Sequence, residues 1–388
     1  MGANPDPKLI SKNITPSLGV CSFAVVSCSR LPDARAQRPP LPGSHYQPFA
    51  ANSPFNTPLP PNPRLDPNSE RIIDALHSMV NNVWGMPPGQ TGWVLRAAAT
   101  PSNYDFTYPF YYSIDSDPVY KILCRYGPSS TWQYCGLNNV QIHIPSYAEP
   151  EHSGPGKHCW DTDHHMAIID STTGLEYDMW GACQPNGKGG DLVIGWGGYG
   201  HIWGRNRDKG ISTDTISYGA EQSGFALTIG IVRTADIRAG IIPHALQMAI
   251  PCASDGVFPA AVPSDQYCPS GTTNPPYYGM RVQLNLTDRE IDALDVPAYA
   301  KPVLLAMAHY GAFVCDTGTG NEMELKTESG LTFTRLGLND PWEALAKQYR
   351  IQPIAPGDPY NAYLFPVAAA GLTQFLRVID PCVTAGTC

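Results

Sequence analysis

Residues 164–180, His164-His-Met-Ala-Ile-Ile-Asp170-Ser-Thr-Thr-Gly174-Leu-Glu-Tyr-Asp-Met-Trp180, read as a β-hairpin. Two strand-like runs flank Ser171–Gly174, which suits a four-residue loop. If Asp170 pairs with Leu175, Ile168 opposes Tyr177, Met166 opposes Met179, and these side chains form one apolar face. Side chains alternate with period two, so the other face carries Asp161, Asp163 and His165 from one strand and Glu176, Asp178 and Trp180 from its partner. Asp178 then opposes Ala167 and His165 opposes Trp180. Such a face is costly unless it is solvated, binds a metal or lines a cleft.

Working outward, residues from about 92 to 286 are short β-type runs separated by Gly, Pro, Asn and Ser. The 388 residues include 36 Gly and 39 Pro, which excludes a helical bundle. The expected fold is mostly β: an antiparallel β-sandwich or jelly roll with a few peripheral α-helices. Helices are predicted from Ser69 to about Val83 behind a Ser cap, after the capping box Thr287-Asp-Arg-Glu290, over Lys301–Tyr310, and from Pro341 after Asp340. Ten prolines in 38–67 mark 37–68 as an extended strap or linker. Residues 69–388 then form a single β-rich domain.

Residues 1–36 read as an export signal: Lys8 and Lys12 precede the apolar run Leu18–Cys28, and Ala34-Arg-Ala36 is a small-x-small cleavage site. That segment holds four basic and two acidic residues, so the net charge of -9 becomes -11 without it. A negative chain without a basic run excludes nucleic acid as a partner, and no apolar run approaches the ~20 residues of a membrane span. Nine cysteines follow residue 36, none in a CxxC pair, and sequence-local disulfides are expected: Cys124 with Cys135, Cys159 with Cys183, Cys252 with Cys268, and Cys382 with Cys388. Cys315, in an apolar run, is left as the free thiol. The sequon Asn285-Leu-Thr287 is a glycan acceptor in a host with that machinery.

The hairpin residues Glu176, Asp178, Asp163 and His165 are the candidate catalytic groups. Carboxylates held that close push their pKa values apart, which separates a proton donor from an ionised partner in glycoside cleavage. Trp180 offers a stacking plane for a sugar. Beyond the hairpin, Gly195-Trp-Gly-Gly-Tyr-Gly-His201-Ile-Trp203 reads as a glycine-aromatic loop, with Trp196, Tyr199 and Trp203 as a cleft wall. His244 is either a buried, hydrogen-bonded histidine or a substrate-binding residue. No cofactor is expected, although Asp161, Asp163 and His165 at i, i+2 and i+4 present donors for a structural Ca²⁺ or a transition ion.

Glu176-Tyr-Asp178-Met-Trp180-Gly-Ala182 resembles the Glu-x-Asp-x-Trp-Glu-Ala strand of retaining cellulases in glycoside hydrolase family seven, and more loosely the Glu-x-Asp-x-x-Glu strand of the laminarinase-like family sixteen. Both are concanavalin A-like jelly rolls. The resemblance implies Glu176 as nucleophile and Asp178 as its helper, while the acid/base position of those families is Gly181 here, so the acid has to come from Asp163 or His165. Over a longer stretch, from Asp163 through Pro243-His244 to His309-Tyr310-Gly311, the chain is similar to uncharacterised secreted bacterial β-rich proteins. Gln141-Ile-His143 matches three residues of an alginate lyase strand without that family's partner motifs, and Asp316-Thr-Gly318 matches one of the two loops that an aspartic protease needs. The expected function is that of a secreted glycoside hydrolase acting on a neutral or weakly charged polysaccharide or oligosaccharide. The alternatives are a non-catalytic glycan-binding or cell-surface protein, and a polysaccharide lyase with a His/Tyr acid-base pair.

Overall fold

The computed structural model describes residues 42, 47–80, 92–98, 106–126, 135–152, 159, 162–202, 219–256, 258, 264, 266–318, 323–354 and 362–388. The expected export signal, Asp161, Trp203 and most of the first part of the strap lie outside the described residues.

In chain order the first elements are helix α1 (Ser69–Met79) and strands β1 (Gly92–Ala98), β2 (Phe110–Ser113), β3 (Val119–Cys124), β4 (Gln141–His143), β5 (Met166–Asp170), β6 (Leu175–Trp180), β7 (Gly190–Ile194) and β8 (Trp196–His201). Then follow helix α2 (Thr234–Ala239), β9 (Leu246–Ile250), β10 (Arg281–Leu284), helices α3 (Asp288–Ala293) and α4 (Ala300–His309), β11 (Ala312–Thr317) and β12 (Met323–Leu325). Helices α5 (Leu331–Thr334) and α6 (Pro341–Tyr349), β13 (Ala362–Ala369), β14 (Leu376–Val378) and α7 (Pro381–Ala385) complete the chain.

The strand-rich class is as expected, but the sheets are mixed rather than antiparallel. They have the orders β13-β1-β12-β9-β11-β10-β14, β2-β5-β6-β8 and β4-β3-β7. Each contains a parallel pair: β1 with β12 and β9 with β11 in the first, β2 with β5 in the second, β3 with β7 in the third. Parallel partners are far apart in sequence, and period-two alternation does not encode strand direction.

Alternation along the strands builds three apolar layers. Leu246, Met248, Ala312, Val314 and Leu325 face a core shared with α1, α4 and α6. The opposite face of the seven-stranded sheet presents Phe313 and Cys315 to Ala167 and Ile169 of the four-stranded sheet. The far face of that second sheet packs Met166, Ile168, Tyr177 and Met179 on Tyr120, Ile122 and Leu192 of the three-stranded sheet. The hairpin is therefore sandwiched between two sheets.

The predicted helices form, α1 over Ser69–Met79, with 81–83 of its expected span outside the described residues. Thr287 and Glu290 make the full capping box of α3, and Asp340 caps α6 with Pro341 in its first turn. Ser69 is not the cap of α1: it is the first helical residue, and its hydroxyl accepts from the Val378 N–H at 2.8 Å, tying the helix to β14. Helix α2, within the stretch read as purely β, is too short to show a periodic pattern. The four expected disulfides are present and Cys315 is free and buried. From residue 47 the described strap is pinned along the body: Phe49 N–H donates to Ile202 O, Phe55 O accepts from Ala245 N–H, and Leu59 N–H donates to His309 O.

Candidate functional site

The hairpin has the predicted register, with Met166 opposite Met179, Ala167 opposite Asp178 and Ile168 opposite Tyr177. Its polar face points at the seven-stranded sheet, and Glu176 and Asp178 are both 0% exposed. The backbone of residues 227–228 covers them. Glu176 accepts from the Thr228 N–H (3.1 Å) and hydroxyl (2.5 Å), and Asp178 accepts from the Leu227 N–H (3.0 Å). Strand β8 places Gly198 opposite Asp178 and Gly200 opposite Glu176, so no side chain flanks the pair from that strand. Burial raises both pKa values, and each carboxyl acts on the other, lowering that of Glu176 and raising that of Asp178 further. Burial and the neighbouring Glu176 both favour the protonated form of Asp178. The two carboxyls bond residues 227–228 to β6, and that backbone covers this part of the face.

The other two predicted groups lie at the open end of the same face. Asp163 is partly exposed and its Oδ1 accepts from the Trp180 indole N–H at 3.0 Å. Trp180 is also partly exposed, with its ring 5.8 Å from that of Tyr126. Gly195 has no room for a Cβ, which would come within 2.7 Å of the Trp180 ring, so a side chain there would displace the indole. Gly181, where the cellulase strand has glutamate, has φ +62°, a conformation that disfavours a side chain. Behind Asp163, His165 is buried and its Nδ1–H donates to Glu151 Oε1 at 2.5 Å, while the second Glu151 oxygen accepts from the Thr107 N–H. Burial alone would lower the His165 pKa, but the Glu151 carboxylate outweighs it and raises the pKa to about 9. His165 is an imidazolium at neutral pH and is not available as a base. The edge of the Tyr108 ring lies against it, with centroids 5.1 Å apart. Burial pushes the Tyr108 hydroxyl well above its ordinary range. Tyr108 is thus a tyrosine beside His165, one of the two histidines that the lyase alternative could use.

The seven-stranded sheet closes the site from the other side with residues that have no local motif. Lys326 Nζ lies 3.1 Å from Asp316 Oδ2 and 5.2 Å from the centre of the Tyr108 ring. Its side chain is 4% exposed, against 21% for Asp316. Glu221 is buried, and neither oxygen has a well-formed hydrogen bond among the described residues. Burial raises the Glu221 pKa and Lys326 opposes that rise. Lys326 stays charged because Asp316 and Glu221 together outweigh the desolvation of its ammonium. One pattern does point to Lys326: Met323-Glu-Leu-Lys326 alternates apolar and charged residues, which marks a strand with one polar inner face.

The remaining candidates scatter. Residues 196–201 are strand β8 rather than a loop, pairing Trp196 with Trp180 and Tyr199 with Tyr177. Trp196 and Tyr199 are both partly buried against the three-stranded-sheet layer, and the Tyr199 ring lies 6.0 Å from Tyr177. His244 is buried, its Nδ1–H donating to Ala245 O at 2.9 Å, with Nε2 3.9 Å from Asp236. Asp236 also takes two hydrogen bonds from the Arg233 guanidinium, so His244 belongs to a structural network. Among the described residues no three His, Cys, Asp or Glu side chains gather as metal ligands.

Next to that network, Glu328 accepts from the Thr234 N–H and hydroxyl at 2.9 and 3.0 Å. Burial raises its pKa to about 7. An unfolded glutamate ionises near pH ~4.3, so this group stabilises the fold fully below that pH and loses its contribution as pH rises through about 7. Chemical denaturation from pH 4.5 to 7.5 should show a decline of about 3 kcal/mol attributable to this residue. Glu328→Gln should remove that part of the slope, and an unchanged slope would refute the assignment.

No protein-family model matches the chain, and no curated protein or solved structure is similar to it.

Proposed function

We propose that the protein is a secreted carbohydrate-active hydrolase that cleaves a neutral or weakly charged polysaccharide where the hairpin meets β11. Asp163 acts there, Trp180 is the sugar platform, and the His165–Glu151 pair supports the floor. The observation that carries this reading is the 3.0 Å hydrogen bond from the Trp180 indole to Asp163. It fixes a partly exposed carboxyl at the rim of a partly exposed indole, where a glycosidic bond of a stacked sugar would lie. Four disulfides support export to an oxidising compartment, and the net charge of -9 favours a neutral glycan over a polyuronate.

In this reading Glu176 and Asp178 are tethers, and the nucleophile suggested by the cellulase-like strand moves to the rim of the face. The test is release of new reducing ends from a panel of neutral polysaccharides. Wild type and Glu176→Gln should both release sugar at similar rates, provided that the amide oxygen of the variant still accepts from Thr228. Loss of activity in a folded Glu176→Gln protein would return the chemistry to the buried pair. Polysaccharide binding without products would identify a glycan-binding protein instead, and an unsaturated, ultraviolet-absorbing product would identify a lyase.

A further inference from the structure

Strand β11 carries a device that acts on one side chain. It runs parallel to β9 with Ala312 opposite Leu246, Phe313 opposite Gln247 and Val314 opposite Met248, and then skips a residue, so that Asp316 stands opposite Ala249. Cys315 is the extra residue of a β-bulge. Without it Asp316 would share the face of Ala312 and Val314 and enter the apolar core under the helices. With it, Cys315 and Asp316 both turn toward the hairpin. Bulges re-aim side chains in this way beside active sites.

What Asp316 meets on that face was built to receive it. Lys326 N–H donates to Gln247 O, which places Lys326 on the same side of the sheet, and its Nζ reaches Asp316 at 3.1 Å. The ammonium is almost fully buried while the carboxylate keeps a partly exposed edge, so the pair holds a carboxyl in place at the border of the face without closing it off. The charged and titratable groups facing Asp316 are Lys326 from beyond β12, Asp163 and His165 from the hairpin, Tyr108 from the segment before β2, and Glu221 from the segment that follows β8, with the Cys315 thiol beside it on β11. Burial raises the Asp316 pKa, Lys326 opposes the rise and Asp163 adds to it.

We infer that Asp316 is the second catalytic carboxyl of this site, the proton donor to the departing sugar oxygen, and that Lys326 is its positioning residue. The inference rests on the hydrolase reading above and deepens it. In the step, the Asp316 proton passes to the glycosidic oxygen as the bond from that oxygen to the anomeric carbon breaks. The Asp163 carboxylate faces the positive charge that develops on that carbon. Water then supplies its hydroxyl to the anomeric carbon and its remaining proton to Asp316, so one water is consumed per bond cleaved.

The experiment compares neutral oligosaccharides with dinitrophenyl glycosides of gluco, xylo, manno, galacto and arabino configuration, whose leaving group needs no proton. Asp316→Asn should lower turnover of oligosaccharides by about 10²–10⁴-fold and lower kcat/KM for the dinitrophenyl substrates far less, because their departure needs no proton and only the later water step still uses Asp316. Asp163→Asn should impair both. Lys326→Met should move the alkaline limb of the pH-rate profile upward by about one unit, because the cation that favours ionised Asp316 is gone, and Lys326→Arg should restore it. Circular dichroism confirms that each variant is folded, and the isosteric Asp316→Asn decides the matter if Lys326→Met is not. An active wild type with an inert Asp163→Asn and a fully active Asp316→Asn would overturn the inference alone. A wild type inert on every substrate would overturn the inference and the hydrolase reading together.

Discussion

Asp163→Asn is expected to slow polysaccharide cleavage by about two to four orders of magnitude while leaving the unfolding midpoint nearly unchanged. Asparagine keeps the shape of the side chain and an oxygen to accept from the Trp180 indole, now bonded at 3.0 Å, so the rim of the site should hold its geometry. What is lost is the carboxylate charge. Charge developing in a transition state is stabilised best by groups already oriented toward it in a site that excludes water, and the buried His165, Glu151 and Tyr108 behind Asp163 exclude water from one side. Initial rates of reducing-end release on the polysaccharide that wild type degrades fastest give the measurement. Equal rates for the two proteins would remove Asp163 from the chemistry.

Phe55→Ala is expected to destabilise the protein by about 3–5 kcal/mol. The strap delivers Phe55 into the layer between the two larger sheets, where its ring lies 4.7 Å from Phe313 and 5.2 Å from Phe225. Phe313 also carries the Arg281 guanidinium 5.1 Å from its centre. Deleting the Phe55 ring loses its transfer free energy and leaves a cavity that neighbours fixed in β11 and in the segment around Phe225 cannot close. The backbone bond from Ala245 N–H to Phe55 O, at 2.7 Å, would remain and hold the strap in place around the void. Urea denaturation at constant pH reads the loss, and a change below about 1 kcal/mol would mean that the strap is not part of the core.

What was legible in the sequence was local. The hairpin register followed from alternation on either side of Ser171–Gly174, because a slip of one residue would bury the wrong face. The disulfides joined cysteines that are neighbours along the chain, and α3 and α6 announced themselves by side chains that bond their own first turns. Strand direction was not legible, since β2 meets β5 and β3 meets β7 only after long excursions. The destination of the polar face was not legible either. Alternation placed Glu176, Asp178, Asp163 and His165 on one side, but only the tertiary fold shows residues 227–228 covering the first two and leaving Asp163 at the edge.

The partners of Asp163 were illegible for a related reason. Glu151 and Glu221 are single charged residues in unrelated segments, Lys326 is marked only as part of an alternating strand, and Asp316 sits in an Asp-Thr-Gly tripeptide whose protease association is unrelated to its place here. Its orientation depends on the bulge at Cys315, which is a property of pairing with β9 and has no signature in β11 alone. The prolines of the strap suggested a spacer, whereas Phe49 and Phe55 between them are the residues that matter to the core.

The most direct measurement is a crystal structure of Asp163→Asn soaked with an oligosaccharide that wild type cleaves. Expected is a sugar ring stacked on Trp180, with a glycosidic oxygen between residue 163 and Asp316. A sugar bound on another face, or an empty rim at concentrations that saturate wild-type turnover, would contradict the assignment of this site.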